Sequence, residues 1–569
     1  MCGLTVSFGK NISFNLHKQM ATKLNHRGPD FRKDLKINEK IFFSHNRLKI
    51  IDLSGGANQP MSRNNCHLIF NGMIYNFLEI KEELKNFFSF KTNSDTEVLL
   101  AAYIKWGKNC FKKFDGMFSV VIWDDNLKKL IIARDRLGIK PLYYRLSNQN
   151  LFISSEIKPL LKIDKNKIDK KVVTKYFMYS SYEEKKNTFF DKIKQFLPGY
   201  IYEIDYNLNF YKKKYWCLFS LIRNNDNNKK IQNINIAKEM VITEFDRILK
   251  TYSRSDKKIS LLYSSGLDSN ALYKLINSKK KVISLLLTFG FKSKNINDEV
   301  SLFKKKLDIS HHKNRFDVKN FISKMYRVQK EQEMPWGGPN TFFQGELLGY
   351  SKKKNHNVSL SADGADEIFG GYSKYLNSAE GKKFSLDYIN RAIDNTLPFN
   401  EDIMSKNFYT KKFNTNIECP SQTFLSNARY VDITISKLPR NFRFSDRFSM
   451  NQSVELRYPF LDHKLIELSF KFSEKLFLNK KKNKILLRKI YDDNKTKKHI
   501  NSPQTDWLYS NSFKKYVDEM LKKTPVYDFG LDKMKVNTYV NKFYSKKFNN
   551  SFKLWQIINY DLWVKSFLI

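Results

Sequence analysis

Cysteine is scarce in this chain, and acidic residues are heavily outnumbered. The five cysteines among 569 residues (Cys2, Cys66, Cys110, Cys217 and Cys419) are widely spaced. No pair has zinc-finger spacing and no disulfide framework is suggested, which fits a reducing, cytoplasmic setting. No run approaches the ~20 apolar residues of a membrane span. The first residues do not read as a charged-then-apolar leader, and there is neither a low-complexity tract nor a repeat of fixed period. Asp and Glu number 57 against 101 Lys and Arg, for a formal charge of +44. Such a surplus points to nucleic acid or an anionic membrane when it is gathered on one face. Here the basic clusters (Lys279 to Lys281, Lys304 to Lys306, Lys480 to Lys482) are dispersed and form no aromatic-interleaved stripe. No specific nucleic-acid binding is therefore expected; a small anionic substrate fits the charge as well. The length implies two or more domains with ample cores.

What is present begins at Cys2, directly behind Met1 and ahead of Gly3. If Met1 is trimmed, Cys2 carries a thiol and a free α-amine on one residue. The thiolate is the nucleophile, and an α-amine with an unperturbed pKa near ~8 can take its proton at neutral pH. Nucleophile and base would then be the same residue. Met-Cys-Gly alone does not establish this; the downstream segments do.

Those segments run in series. They are His26-Arg27-Gly28-Pro29-Asp30, then Ser44 to Gly56, then Phe70-Asn71-Gly72-Met73-Ile74-Tyr75-Asn76 and Ser94-Asp95-Thr96-Glu97. Asp115-Gly116-Met117-Phe118 and Ala133 to Tyr144 follow. In this order they resemble the glutaminase domain of class II glutamine amidotransferases, from the first residue to about residue 200. The chemistry is readable beside the resemblance. Attack on a primary amide builds an oxyanion that needs donors already in place. The Asn71 side-chain amide and the Gly72 backbone N–H are a suitable pair, glycine allowing close approach. Arg47 can fork onto an α-carboxylate and Asp95 can hold an α-ammonium; by resemblance these are the glutamine contacts. The family usually has glutamate where this chain has Met73. That leaves Asp95 as the expected carboxylate and keeps free ammonia open as the working donor.

A second constellation starts at Lys258-Ile259-Ser260-Leu261-Leu262, a short strand. It is followed by Tyr263-Ser264-Ser265-Gly266-Leu267-Asp268-Ser269, which opens an apolar-periodic helix. Strand, small-residue loop and helix aim backbone N–H groups at an anion, and no Gly-Lys-Ser/Thr of a kinase-type loop follows. The segment resembles the pyrophosphate loop of ATP pyrophosphatases, with Ser265 in place of a glycine. Val358 to Ser361, then Ala362-Asp363-Gly364-Ala365-Asp366-Glu367 up to Gly370-Gly371-Tyr372, resembles a second signature of asparagine synthetases. Carboxylates clustered beside a phosphate loop call for a cation; Mg²⁺ takes one or two of them plus phosphate oxygens. Asp268 and Asp366 are the ligand candidates. Asp363 and Glu367 are candidates for orienting ammonia or removing its proton. The strand Lys281 to Thr288 should lie beside the phosphate loop, with the backbone near Phe289 as an adenine contact. Ser445 to Met450 and Val454 to His463 match the same family and read mainly as framework, with Glu and Arg buried together. Lys497 takes the position of a family lysine that meets phosphates or the acyl-adenylate.

The resemblance to glutamine-hydrolysing asparagine synthetases thus covers nearly the whole chain. It implies an N-terminal αββα sandwich of the N-terminal-nucleophile type over 1–205 and a linker over 206–234. It further implies, over 235–569, a Rossmann-like, largely parallel α/β sheet with helices on both faces and a helical tail. The implied catalytic residues are Cys2, Asn71, Gly72, Asp363 and Lys497, with glutamine held by Arg47, Asn71 and Asp95. The implied ATP contacts are Leu262, Ser264, Ser265, Gly266, Asp268, Ser269, Phe289, Ser361 and Ala362. Partners would be glutamine, ATP with Mg²⁺, and aspartate or another carboxylate such as a uronic acid; a homodimer is open. A non-catalytic binding protein on the same fold is the reading of a different class.

Overall fold

The computed structural model describes residues 1–226, 228–264, 266–278, 285–289, 309–312, 318–376, 403–405, 408, 418–491, 504–546 and 550–569, with 277–278, 285–289 and 309–312 as backbone only. The first part of the chain forms twelve strands: β1 (Gly3–Gly9), β2 (Phe31–Asn38), β3 (Ile41–Arg47), β4 (Met61–Arg63), β5 (Cys66–Ile74), β6 (Gly116–Asp124), β7 (Lys129–Arg134), β8 (Tyr143–Ser147), β9 (Asn150–Ser154), β10 (Ile193–Gln195), β11 (Tyr200–Ile204) and β12 (Phe210–Lys214). They make two six-stranded antiparallel sheets, ordered β10-β8-β9-β1-β3-β2 and β12-β11-β7-β6-β5-β4.

β1 and β3 are buried along their whole length, because both of their faces are covered. Leu4, Val6 and Phe8 of β1 meet Ile69, Val121, Trp123 and Ile132 of the other sheet in a shared core. On the opposite face of β1, Ser7 bonds His17 of the helix Phe14–Thr22 at 2.8 Å. Helices Phe77–Leu84 and Asp95–Trp106 pack over the second sheet. The layers therefore run helix, sheet, sheet, helix, as the resemblance implied.

The second part holds β13 (Lys258–Leu262), β14 (Leu285–Phe289), β15 (Ile309–His312), β16 (His356–Leu360) and β17 (Glu455–Arg457). All pair in parallel in the order β15-β14-β13-β16-β17. β14 does lie beside β13. The order turns between β13 and β16, and ligands of such sheets bind where it turns, beyond the strand C-termini. Four helices, Gln504–Tyr509, Asn511–Lys522, Lys533–Tyr544 and Ser551–Phe567, form the tail. Among the described residues no helix is long and apolar enough to cross a membrane.

Residues 206–234, expected as a linker, are structured instead. β12 closes the edge of the second sheet against β11, and the helix Leu218–Asp226 follows with Leu218 and Ile222 buried. The two domains share their cores. Phe70, Leu99 and Phe118 belong to the same apolar cluster as Ile248, Leu261 and Phe460, and Tyr75 stacks on Tyr252 at 3.7 Å.

A cluster of buried charges crosses the seam. Arg27 donates to Glu156 at 2.7 Å and to both oxygens of Asp446 at 2.8 and 3.1 Å. Arg447 donates to Asp446 at 3.0 Å and to Glu333 at 2.9 Å. Glu333 in turn accepts from the backbone of Ile157 and Lys158. Such charges persist in a dry interior only while each has its partner. Arg447→Ala should lower the free energy of urea unfolding by about 3–5 kcal/mol, the usual effect of removing one member of a buried pair. A loss under ~1 kcal/mol would show that these charges do not depend on one another.

Candidate active sites

The end of β1 places Cys2 at a narrow cavity lined also by Arg47, Gln59, Gly72, Met73, Asp95 and Glu455. Strand β5 of the facing sheet supplies Asn71. Its carboxamide oxygen accepts from the Cys2 backbone N–H at 3.0 Å. Its Nδ2 is fully buried and, among the described residues, bonds nothing. A buried donor left unpaired is costly; this one belongs to the carboxamide whose oxygen is bound to the Cys2 backbone. Gly72 has φ +156°, and a Cβ there would lie 2.1 Å from the Met117 carbonyl oxygen. The glycine is thus demanded by the adjacent strand β6, and not only by the approach of a substrate.

The Arg47 guanidinium is aimed by the loop beneath it. It donates to Ser54 O and Asn58 Oδ1 at 2.7 Å, and to Ile51 O and Asp52 O. Asp95 opens the helix Asp95–Trp106 and accepts from Ile74 N at 3.1 Å. Burial in this water-poor site raises its carboxyl to about 7. Met73 is buried in the cavity wall, so Asp95 is the carboxylate that β5 and its neighbouring helix bring there.

Met1 is buried as well, and its ammonium lies 3.3 Å from Glu455 of the second domain. Glu455 also takes a 2.6 Å bond from Arg457. Burial opposes its charge, but Arg457, the chain-terminal ammonium and Lys140 outweigh that and hold the carboxyl at about 2. The buried Glu–Arg pair expected as framework is present, and it also forms a wall of the cysteine pocket. Arg27 completes the connection: its Nε donates to the Cys2 carbonyl at 3.0 Å while its other nitrogens hold Asp446.

The second site lies at the turn of sheet order. Leu262 ends β13. In the loop beyond, Ser264 N donates to Ser269 Oγ at 2.9 Å and Gly266 N to Ser264 Oγ at 3.3 Å. Two of the backbone N–H groups expected to face an anion are thus engaged within the loop. Asp268 stands in the first turn of the helix Leu267–Ser278. From β16, Ser361 N bonds Arg457 O at 2.9 Å, Asp363 N bonds Ser361 Oγ at 3.3 Å, and Ala362 packs on the core. Asp363 is pushed upward by burial and by the nearby Asp366 and Asp268 charges. Glu367 accepts from Tyr372 OH at 2.7 Å, and burial beside Asp366 lifts its carboxyl to about 8.

Asp268 and Asp366 converge as expected, and a side chain that sequence reasoning missed stands between them. Lys484 Nζ bonds Asp268 and lies 2.6 Å from Asp366. Burial works against its charge, but the two carboxylates prevail and hold the ammonium above the usual lysine range. Lys484 reads in sequence as one more lysine after Lys480 to Lys482. Its signal was Gly371: a Cβ there would meet Asp366 Oδ1 at 1.9 Å and Lys484 Cε at 2.0 Å. Ser265 and Lys497 lie outside the described residues, and Phe289 is described as backbone only. Among the described residues no three or more His, Cys, Asp or Glu side chains gather as a metal site.

Residues 1–216 match the glutamine amidotransferase domain family and residues 241–565 the asparagine synthase family. The chain is 27% identical to asparagine synthetase [glutamine-hydrolyzing] 1 of Bacillus subtilis, over 99% of this chain and 96% of that protein. It is 31% identical to the putative asparagine synthetase [glutamine-hydrolyzing] 2 of Methanocaldococcus jannaschii, over 71% of this chain and 82% of that one. A protein called amidase chry2 from Gibberella zeae is 26% identical over 62% of this chain and 54% of its own length.

Gly371→Ala should displace Lys484 from between the carboxylates. Release of pyrophosphate from ATP is expected to fall at least about tenfold, the effect of losing ~1.4 kcal/mol of transition-state stabilisation. Hydrolysis at the Cys2 pocket should stay within about twofold. Undiminished pyrophosphate release would remove Lys484 from the working centre.

Proposed function

Because the chain belongs to the asparagine synthase family, we propose that it is a glutamine-dependent asparagine synthetase. It is an ATP-dependent amidotransferase ligase, and aspartate is the acceptor we assign. The observation that carries the reading is the paired arrangement: an unpartnered Asn71 amide beside Cys2 in one domain, and convergent carboxylates beside a loop at the sheet turn in the other.

In the first domain, removal of Met1 frees the α-amine of Cys2. That amine takes the thiol proton, and the sulfur attacks the glutamine amide carbon. Asn71 Nδ2 and Gly72 N–H receive the oxyanion, Arg47 holds the α-carboxylate and Asp95 the α-ammonium. The carbon–nitrogen bond breaks, ammonia leaves and a thioester remains, which water hydrolyses to glutamate. In the second domain a carboxylate oxygen of aspartate attacks the α-phosphate of ATP. Pyrophosphate leaves, giving an acyl-adenylate. Ammonia attacks the acyl carbon and AMP departs with the electron pair.

Asp268 and Asp366 would hold a Mg²⁺ that arrives with the nucleotide; two carboxylates sharing one point, completed by phosphate oxygens and water, suit that ion. When bound, it neutralises phosphate charge. Lys484 places a further positive charge at the same point, the role that the sequence suggested for Lys497. Asp363 and Glu367, both raised by burial, are placed to orient ammonia or take its proton. Ammonia must cross between the sites as the neutral molecule, so this reading implies a sheltered passage at the domain interface.

Met73 in place of a family glutamate and the changed segment around Lys497 keep another carboxylate, such as a uronic acid, as the second acceptor to test. Two experiments bear on the assignment. In Cys2→Ala, glutamate release should vanish while ammonia-supported pyrophosphate release persists. In the wild type that release should require aspartate; dependence on a uronic acid alone would replace aspartate as acceptor. The pH profile gives a separate check. The Asp95 carboxylate must be ionised to hold an ammonium, and its value of about 7 in the free site means that glutamine binding weakens as pH falls through 7. KM for glutamine should rise roughly tenfold per pH unit below ~6. A flat KM from pH 5 to 8 would take Asp95 out of substrate binding.

A further inference from the structure

One wall of the Cys2 pocket comes from the other domain, and an α-ammonium already sits against it. Glu455 of β17 lines the pocket together with Cys2, Arg47, Met73 and Asp95. Its Oε2 lies 3.3 Å from the ammonium of Met1, and its Oε1 accepts from Arg457 Nε at 2.6 Å. Met1 is buried, and the cavity beside it is about 30 Å³, room for about one water. Glutamine therefore enters only the space that Met1 vacates. Met1 is itself an amino acid, so its ammonium stands in for the α-ammonium of a free one.

Removal of Met1 leaves Glu455 Oε2 facing that space without its nearest cation. A buried carboxylate oxygen with no partner is costly. Two groups could take the vacated place. The first is the α-amine of Cys2. Its nitrogen already donates to Asn71 Oδ1 at 3.0 Å, and it has to be uncharged to take the thiol proton, whereas a carboxylate partner would keep it protonated.

The second is the ammonium of glutamine, and the charges of the pocket are arranged for it. Arg47 offers a cation to the α-carboxylate, while Asp95 and Glu455 offer carboxylates. Burial lifts Asp95 to about 7, and the Glu455 charge adds to that lift. Asp95 by itself is thus only about half ionised at neutral pH. Burial also opposes the charge of Glu455, but Arg457, the chain-terminal ammonium and Lys140 hold it at about 2; Arg457 and Lys140 remain when Met1 is gone. An ammonium placed between the two carboxylates relieves their repulsion. β5 adds no carboxylate of its own, because Met73 stands where the family usually has glutamate.

We propose that Glu455 is a glutamine-binding residue: reaching in from the second domain, it receives the α-ammonium of glutamine beside Asp95, at the point that the Met1 ammonium occupies in the untrimmed chain. The assignment rests on the glutaminase reading of this pocket, and it makes glutamine affinity depend on the docked second domain. Titration calorimetry on the full chain carrying Cys2→Ala, which binds without turnover, tests this, with the loss of Met1 checked by mass. The probes are L-glutamine and glutaramate, which has the same amide and carboxylate but no ammonium. Glutamine should bind the more tightly. Glu455→Gln keeps an acceptor for Arg457 and removes the charge; it should weaken glutamine about tenfold, corresponding to ~1.4 kcal/mol, and leave glutaramate within about twofold. Met73→Glu added to that protein should restore glutamine binding by returning a carboxylate to the wall from β5. Should Glu455→Gln not fold, Glu455→Asp keeps the charge for Arg457 but draws the oxygen back by one methylene, and should lower the preference for glutamine in the same sense. Equal weakening of both probes would make Glu455 framework only, and unchanged binding of both would leave the ammonium to Asp95. Either result overturns the proposal, as does glutamine binding no tighter than glutaramate. Glutamate release by the wild-type chain is read separately, so any of these failures leaves the glutaminase reading standing. A chain that binds glutamine through Glu455 yet releases no glutamate would sink that reading and not this one.

Discussion

Arg27 ties Cys2 to the second domain with a single side chain. One nitrogen donates to the carbonyl of Cys2, and the others grip Glu156 and Asp446. The group is fully buried, so its charge persists only because carboxylates from both domains surround it. Asp446 is fixed in turn by Arg447, and Arg447 by Glu333. The helix Lys437–Asn451, which carries Asp446 and Arg447, is thereby linked to the residue that precedes the first strand. The position of the thiol is therefore a property of the whole molecule and not of one domain.

The second domain solves a problem of like charges. Asp268 comes from the helix after β13, and Asp366 from the helix after β16; the turn of sheet order brings them to one point. Two carboxylates so close repel each other. Lys484 answers that repulsion from a third element, and it reaches the point only because Gly371 has no Cβ. At the first site the corresponding tension is a lone raised carboxyl, Asp95, and an unpartnered amide, Asn71.

Much of this was readable before the fold was seen. The segments around Cys2, Asn71 and Asp95 stand close in space because β1, the facing strand β5 and the helix Asp95–Trp106 bring them together, and short local motifs mark each of them well. The loop after β13 and the acidic turn after β16 were readable for the same reason. β12 fell within the range taken for a linker on the strength of the polar stretch Arg223 to Lys230; its pairing with β11 makes it a strand. Glu455 was read as framework because its partner Arg457 is two residues away, whereas its contact with Met1 spans the chain. Lys484 was lost among neighbouring lysines, since burial leaves no mark on residue type.

The chain's order of residues alone determined which chemistry is available: a thiol at the second residue, an amide beside glycine, a small-residue loop and paired aspartates. These depend on residue type and near-neighbour spacing, which the sequence states directly. Tertiary structure decided which charges meet. Arg27 with Asp446, Met1 with Glu455 and Lys484 with both aspartates all join residues far apart in the chain. Electrostatic energy in a dry interior depends on distances of a few ångströms, and those distances exist only once both domains are packed.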